Sequence, residues 1–336
     1  MKKIIFYSSV KDKSLFQTQK FYKIDIEILE KLGYTIILSN KVSDAFKFWK
    51  YDLVFGYFFR YSFFFILIAK IFGKRSYLTG GIDALDIDSV GRKEYNKQRI
   101  LFRLCYLIAT RCIIVSSEDL KHVEKIVGKN KTKIEYSEHT IDTSAFIDAP
   151  AFLDKKNNFV TVGWQGSEAN VKRKGFDKAI YLFYWLKKYK NFSGSKLYIL
   201  GKNGDGTPYI ESLIKEMALE QDVIIKGEVT EDEKIQYLKN NRYYFQLSQY
   251  EGFGIAALEG LVAGDIIIHS GKGGLNNPIY KNHIKVNINS NIKSQSEDVY
   301  KKLMNIDIDK IQKIVTESLS FYDNNRRLTD FERILQ

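Results

Sequence analysis

The sequence predicts an α/β protein of two Rossmann-like β/α/β domains facing a central cleft, and three observations predict it. Short apolar runs of strand length alternate with amphipathic stretches of helical period along most of the 336 residues. The alternation begins at Lys3 and restarts at Phe159 after a loop-like interval; a chain of this length holds two domains of about 150 residues, each with its own core. Glycine-bearing segments fall where strands end, the side on which open parallel sheets collect ligands. The boundary falls near Asp148–Asp154, giving domains 1–148 and 149–336.

In the first half, Lys3–Ser8 is a strand, Phe21, Ile24, Ile28 and Leu32 mark a helix that Gly33 ends, and Tyr34–Leu38 returns to strand. This β-α-β opening implies a right-handed crossover and a parallel sheet. The loop Ser8–Gln17 lacks the G-x-G-x-x-G spacing of a dinucleotide fingerprint. Asp52–Phe55 is a third strand. Phe58–Phe72 is the most apolar part of the chain, interrupted by Arg60 and Lys70 and too short to span a bilayer. It reads as a buried helix of a doubly wound domain; its basic flanks leave an interfacial helix as the alternative. Ser76–Thr79 leads into Gly80-Gly81-Ile82-Asp83, which places Asp83 at a strand's carboxyl end, as a ligand contact or, equally, as an Asx turn or helix cap. Residues 99–110 read as an amphipathic helix, Cys112–Ser116 and Ile134–Tyr136 as strands, and Ser117-Glu118-Asp119 as a capped helix start.

In the second half, Phe159–Val162 is a strand, followed by the loop Gly163-Trp164-Gln165-Gly166. Lys172-Arg173-Lys174-Gly175 then precedes an amphipathic helix running to Tyr189. A basic triplet at a helix start opposes the macrodipole, so it reads either as lysines held in solvent or as a site where bound anions compensate the charge. Lys196–Leu200 and Val223–Lys226 are strands, Pro208 suits the first turn of a helix, and Thr230-Glu231-Asp232-Glu233 is a capping box. Gly271-Lys272-Gly273-Gly274 forms a further loop on the same side, and Ser294–Gln336 reads as helices that can pack back on the first domain.

Composition narrows the function classes. The formal charge is +12, with 25 basic and 17 acidic residues in 1–148. That balance suits nucleic acid, an anionic membrane or an acidic ligand. No nucleic-acid motif occurs and the lysines are interleaved with acids. Cys105 and Cys112 read as reduced core residues, and no signal peptide precedes Ile4, which argues for the cytoplasm. No repeat, low-complexity run or metal-spaced His/Cys cluster appears, and Asp86-Ile87-Asp88, although a D-x-D triplet, lies outside the second domain.

The stretch richest in chemistry is Ser248–Gly264, with Glu251 and Glu259 eight positions apart. Residues 242–247 are apolar enough for a buried strand and Ile255–Ala263 has helical composition, so Glu251–Gly254 is a strand-to-helix turn. Gly252 and Gly254 permit positive φ and close approach of backbone amides to a ligand, and the helix's first turn attracts anions. Glu259 sits about two turns inside an otherwise apolar helix, where an unpaired carboxylate is costly, so it requires a polar partner.

This segment resembles the E-x7-E element of retaining glycosyltransferases of family 4 (glycosyltransferase group 1), enzymes of GT-B architecture. The resemblance implies that Glu251 contacts the donor sugar, that the amides of Gly252, Phe253, Gly254 and Ile255 line the sugar diphosphate, and that Glu259 holds the ribose. Ala256 stands where the family often has proline. Lys172–Gly175 resembles the family's basic pair before glycine, whose lysine, here Lys174, neutralises the donor diphosphate. The arginine usual after the strand glycine is Trp164 here, and Arg173 is the candidate replacement. Gly227 and Val229 fall in the loop that contacts the nucleobase. Gly80–Asp83 is similar to an acceptor-side loop, which makes Asp83 a catalytic candidate, and Glu138–Asp142 is similar to the family's Asn-Gly-Val-Asp segment. The implied function is retaining, metal-independent transfer of a hexose or N-acetylhexosamine. The donor is a nucleotide diphosphate sugar, UDP-sugar favoured, used as co-substrate without a cofactor. The acceptor is a glycan or lipid-linked glycan in bacterial surface polysaccharide synthesis. Implied placements are acceptor on 1–148, donor on 149–336, and a cytoplasmic location, with contact to an anionic inner membrane face as a further option and no nucleic-acid partner. The alternative is a non-catalytic subunit that binds sugar nucleotides on the same fold.

Overall fold

The computed structural model describes residues 1–128 and 130–336, apart from the side chains of Asp88 and Ser89. The chain divides into two compact units, Met1–Asp142 with Tyr322–Gln336, and Thr143–Phe321. The division falls a few residues before the sequence boundary at 148, and the last helix, Asn324–Leu335, belongs to the first unit.

The first unit holds β1 (Lys3–Tyr7), β2 (Thr35–Ser39), β3 (Leu53–Tyr57), β4 (Arg75–Thr79), β5 (Arg111–Ile114) and β6 (Ile134–Tyr136). They form one parallel sheet of order β2-β1-β3-β4-β5-β6. The second unit holds β7 (Lys156–Val162), β8 (Leu197–Leu200), β9 (Val223–Gly227), β10 (Asn241–Gln246), β11 (Ile266–His269) and β12 (Ile284–Lys285). These form a second parallel sheet of order β12-β11-β10-β7-β8-β9. Helices on both faces bury both sides of each sheet, which is why β3 is apolar and buried at every position and β11 is buried throughout, with apolar Ile266–Ile268 ahead of His269. Aromatic residues fill the cores: Phe6 stacks on Phe55 in the first unit, and Phe159 stacks on Tyr243 and Phe245 in the second.

The strand order of the second sheet positions its chemistry. From β7 the chain builds outward through β8 and β9, then returns so that β10 pairs with β7 on the other side. The carboxyl ends of β7 and β10 flank the topological switch point, where helices leave the sheet on opposite faces and open a crevice.

The helix expected over 99–110 runs from Arg92 to Ile108, because Gly91 at φ 77° starts it seven residues earlier than the apolar pattern shows. The expectation for the basic triplet is corrected. Lys172, Arg173 and Lys174 occupy the last turn of a separate helix, Glu168–Lys174, whose Ser167 side chain caps its start by accepting the Asn170 amide. Positive side chains in a last turn complement the macrodipole instead of opposing it. Gly175, at φ 75°, closes that helix before the next begins at Phe176.

Candidate active site

Two loops meet at the switch point. One leaves β7 through Gly163–Ser167 into the short basic helix; the other leaves β10 through Leu247–Gly254 into the Ile255–Val262 helix. The Gln249 amide donates to the Arg173 carbonyl at 2.8 Å. A Cβ on Gly175 would stand 2.1 Å from the Leu247 carbonyl oxygen, so only glycine allows this approach, at a backbone angle that L-residues rarely adopt.

This stitching brings the Lys174 ammonium to the Glu251 carboxylate, Nζ donating to Oε1 at 2.7 Å, with side chains 24% and 12% exposed. Oε1 also accepts from Gln246 Nε2 at 3.0 Å and lies 2.8 Å from Ser248 Oγ. The Tyr244 hydroxyl donates to Gln246 Oε1 at 2.9 Å and fixes that amide's orientation. Burial alone would raise the Glu251 carboxyl. The Lys174 charge, the bonds from Lys174 and Ser248 and the Arg173 charge outweigh it and hold the pKa below the ordinary value. Glu251 is therefore an ionised acceptor at neutral pH. Every side-chain bond it makes among the described residues converges on Oε1, which leaves Oε2 to receive a ligand hydroxyl.

Behind Glu251 the helix starts at Ile255 after Gly254, which adopts φ 91°. The amides of its first turn have no acceptor inside the helix. The Gly274 amide donates to the Glu251 carbonyl at 2.7 Å, so the loop after β11 buttresses the same turn. Within the helix, Glu259 is 1% exposed, and the polar partner that its burial requires is Lys234, 2.8 Å from Oε2. Lys234 belongs to the Glu231–Asn240 helix, whose Thr230–Glu233 capping box forms as the sequence predicts. Tyr244 lies in the field of both glutamates. Burial first, then the Glu259 and Glu251 charges, raise its hydroxyl far above the usual value and keep it a proton donor.

The remaining expected residues are placed as follows. Gly252 and Ile255 are half-buried, and Phe253 and Gly254 are buried, in the turn itself. Arg173 is exposed and donates to Asn170 Oδ1 at 3.0 Å. Trp164 is 60% exposed and lies over Gly166. Gly227, at φ 71°, ends β9, its carbonyl accepting the Gly201 amide at 2.8 Å, and half-buried Val229 follows in the same loop. These positions gather at the carboxyl edge of the second sheet. Asp83 belongs to the first unit, exposed after β4, and its carboxylate accepts the Ala84 amide at 3.0 Å. Of the Asp86-Ile87-Asp88 triplet, the second carboxylate lies outside the described residues. Among the described residues, no group of three or more His, Cys, Asp and Glu is placed to hold a metal ion, and no helix is long and apolar enough to cross a membrane.

Sequence reasoning missed three contributors. Gln246 and Ser248, polar residues ending an apolar strand, are the readable signal for side chains that orient Glu251. Lys234 had none, lying among acids in a capping region. An ionised carboxylate, a lysine beside it and a helix start together suit a ligand with both hydroxyls and a diphosphate.

The second unit also resembles known proteins in sequence. Residues 153–313 match the family model of glycosyl transferases group 1. An uncharacterized glycosyltransferase of Methanocaldococcus jannaschii is 30% identical over 168 residues, 48% of this chain; the match spans 43% of that protein's length. The sucrose-phosphate synthase of Thermosynechococcus elongatus superposes with a TM-score of 0.78 at 15% identity, covering 100% of this chain and 98% of that one. HepE of Anabaena, solved with UDP and glucose, gives 0.73 at 12% identity, with 100% and 99% covered. At these identities the structural likeness concerns the fold, the two-domain GT-B architecture. The stretch that matches the glycosyl transferases group 1 model, residues 153–313, is the one that carries Lys174, Glu251 and Glu259.

Proposed function

We propose that the chain is a retaining glycosyltransferase that moves a hexose or N-acetylhexosamine from a nucleotide diphosphate sugar, UDP-sugar favoured, to a glycan or lipid-linked glycan of a bacterial surface polysaccharide. The observation that carries the reading is the Lys174–Glu251 pair at the switch point, inside the segment that matches the family. HepE, of the same fold, was solved with UDP and glucose, which favours UDP here. Retention rests on the E-x7-E resemblance.

Each residue receives a role by its chemistry. Lys174, with Arg173 nearby, neutralises the departing diphosphate together with the first-turn amides of the Ile255–Val262 helix. Charge on the leaving group is thereby met by fixed protein groups, and no cofactor is assigned. Glu251 takes a donor-sugar hydroxyl on Oε2. Glu259, held by Lys234, takes the ribose hydroxyls, and the Gly227–Val229 backbone takes the base. Asp83 is assigned to the acceptor. The departing phosphate itself accepts the proton of the attacking hydroxyl, so no side-chain nucleophile enters.

The test starts with a thermal-shift screen of UDP, GDP, ADP and their sugars, followed by sugar release and transfer with the donor that stabilises most. Lys174→Ala and Glu251→Ala are each expected to lower kcat/KM by 100-fold or more, about 2.7 kcal/mol. Both variants within tenfold of wild type would remove these roles. Nucleotide binding without sugar release or transfer would favour the non-catalytic alternative.

A further inference from the structure

We propose that the outer face of one helical layer of the first unit docks on an anionic phospholipid surface. Right-handed crossovers from β2 to β3, β3 to β4 and β4 to β5 put three segments on the same side of the first sheet: Val42–Lys50, the Phe59–Ile71 helix and the Arg92–Ile108 helix. They touch in that order. Phe48 of the first segment stacks on Phe72 at the end of the second, ring centroids 3.6 Å apart, and Arg60 pairs with Glu94 of the third at 3.7 Å.

Each helix buries one apolar face inward and shows a second apolar face to solvent. Phe65, Ile66 and Ala69 are buried, while Tyr61, Phe64 and Ile71, spaced three and seven apart, are exposed. Phe102 and Cys105 are buried, while Ile100, Leu104 and Leu107 repeat the exposed stripe on the neighbouring helix. Phe46 and Trp49 extend it, Trp49 at 69% exposure. Contiguous apolar surface of this kind marks an interaction site.

Charge decides the occupant. Residues 41–50, 59–72 and 92–108 carry ten Lys and Arg against two acids, Asp44 and Glu94, and all ten basic residues are exposed. A second copy of the chain would set ten cations against ten, whereas an anionic bilayer takes up aromatic side chains and cations together. On this proposal the two readings raised by the sequence, a buried helix and an interfacial one, apply to opposite faces of Phe59–Ile71. A bilayer here deepens the lipid-linked acceptor reading and rests on it for its purpose alone, because binding is measured with neither donor nor acceptor.

Flotation is run with vesicles of phosphatidylcholine alone and of phosphatidylcholine with phosphatidylglycerol in equal parts, at 0.1 and 0.5 M salt. The full chain is expected to float with the anionic vesicles, at least tenfold more weakly with neutral ones, and to be released by salt. Lys50→Gln/Arg99→Gln/Arg103→Gln is expected to weaken binding by about 100-fold, roughly fivefold per charge removed near an anionic surface. Phe64→Ser/Leu104→Ser, at exposed positions, is expected to weaken it by at least tenfold while the thermal shift with UDP stays unchanged. Absence of flotation with anionic vesicles, or flotation that both variants retain, overturns the proposal. So does a concentration-dependent dimer that Phe64→Ser/Leu104→Ser abolishes without vesicle binding, which would assign the face to a second copy.

Discussion

Replacing Lys174 by methionine keeps most of the stem and removes the charge, and the structure fixes what should follow. In the free protein, Glu251 loses the largest influence that holds its carboxyl down, leaving burial opposed by Ser248, Gln246 and the more distant Arg173. A charge-assisted hydrogen bond at 2.7 Å between side chains 24% and 12% exposed contributes about 1–2 kcal/mol. Lys174→Met should therefore destabilise by that amount. Glu251→Gln, which still offers an acceptor to Ser248 and Gln246, should cost less, and the double variant should fall short of the sum by about 1 kcal/mol. Urea unfolding at pH 7 measures the cycle. With ligand, the prediction separates two parts of a nucleotide. If Lys174 meets the diphosphate, Lys174→Met weakens UDP by about 10- to 100-fold, the worth of one charge-assisted bond, and leaves uridine within about twofold. Titration calorimetry with both compounds reads this directly. Additive stabilities within about 0.3 kcal/mol, together with equal losses for UDP and uridine, would refute the reasoning from the geometry.

Two further predictions concern the scaffold. Burial lowers His269 to about 4 and His283 to about 3. Below the unfolded value near 6.5 the unfolded chain binds protons that the folded chain refuses. Stability is therefore lost as pH falls from 6.5, by about 2 kcal/mol per histidine at pH 5. Asp265 acts in the opposite direction, since burial against the partly offsetting Lys155 pair raises it to about 7. The check is accordingly the difference in pH-dependent unfolding between wild type and His269→Gln/His283→Gln, and equal pH slopes would contradict it. Second, Arg327 is fully buried, holds Asp25 through two bonds of 2.6 and 2.9 Å, and donates to the Ser137 and Glu138 carbonyls. Arg327→Met strands the Asp25 charge and should cost about 3–5 kcal/mol in urea unfolding. Asp25→Leu/Arg327→Met should recover at least about 1 kcal/mol of it, and a double variant no more stable than the single would count against the argument.

What the sequence discloses and what it withholds follow from the range of the forces involved. The strands are legible because a parallel sheet buried on both faces needs continuous apolar runs, as in Ile266–Ile268. The need of Glu259 for a partner is legible because a carboxylate in an apolar helix is costly; its partner is not, because Lys234 lies on another helix and nothing local marks it. The basic triplet was misplaced for a local reason. Gly175 ends one helix and starts the next, and the apolar period of Phe176–Leu186 is far stronger than the weak pattern of the seven residues before it. Arg327, 302 positions from Asp25, lies beyond any window of pattern. The central pair combines both cases. Glu251 and Lys174 each stand out by residue type and neighbourhood, yet they are 77 positions apart and meet only because β10 returns to pair with β7. Strand order is set by the packing of the whole sheet, so the sequence names the two charged groups and only the topology makes them one site.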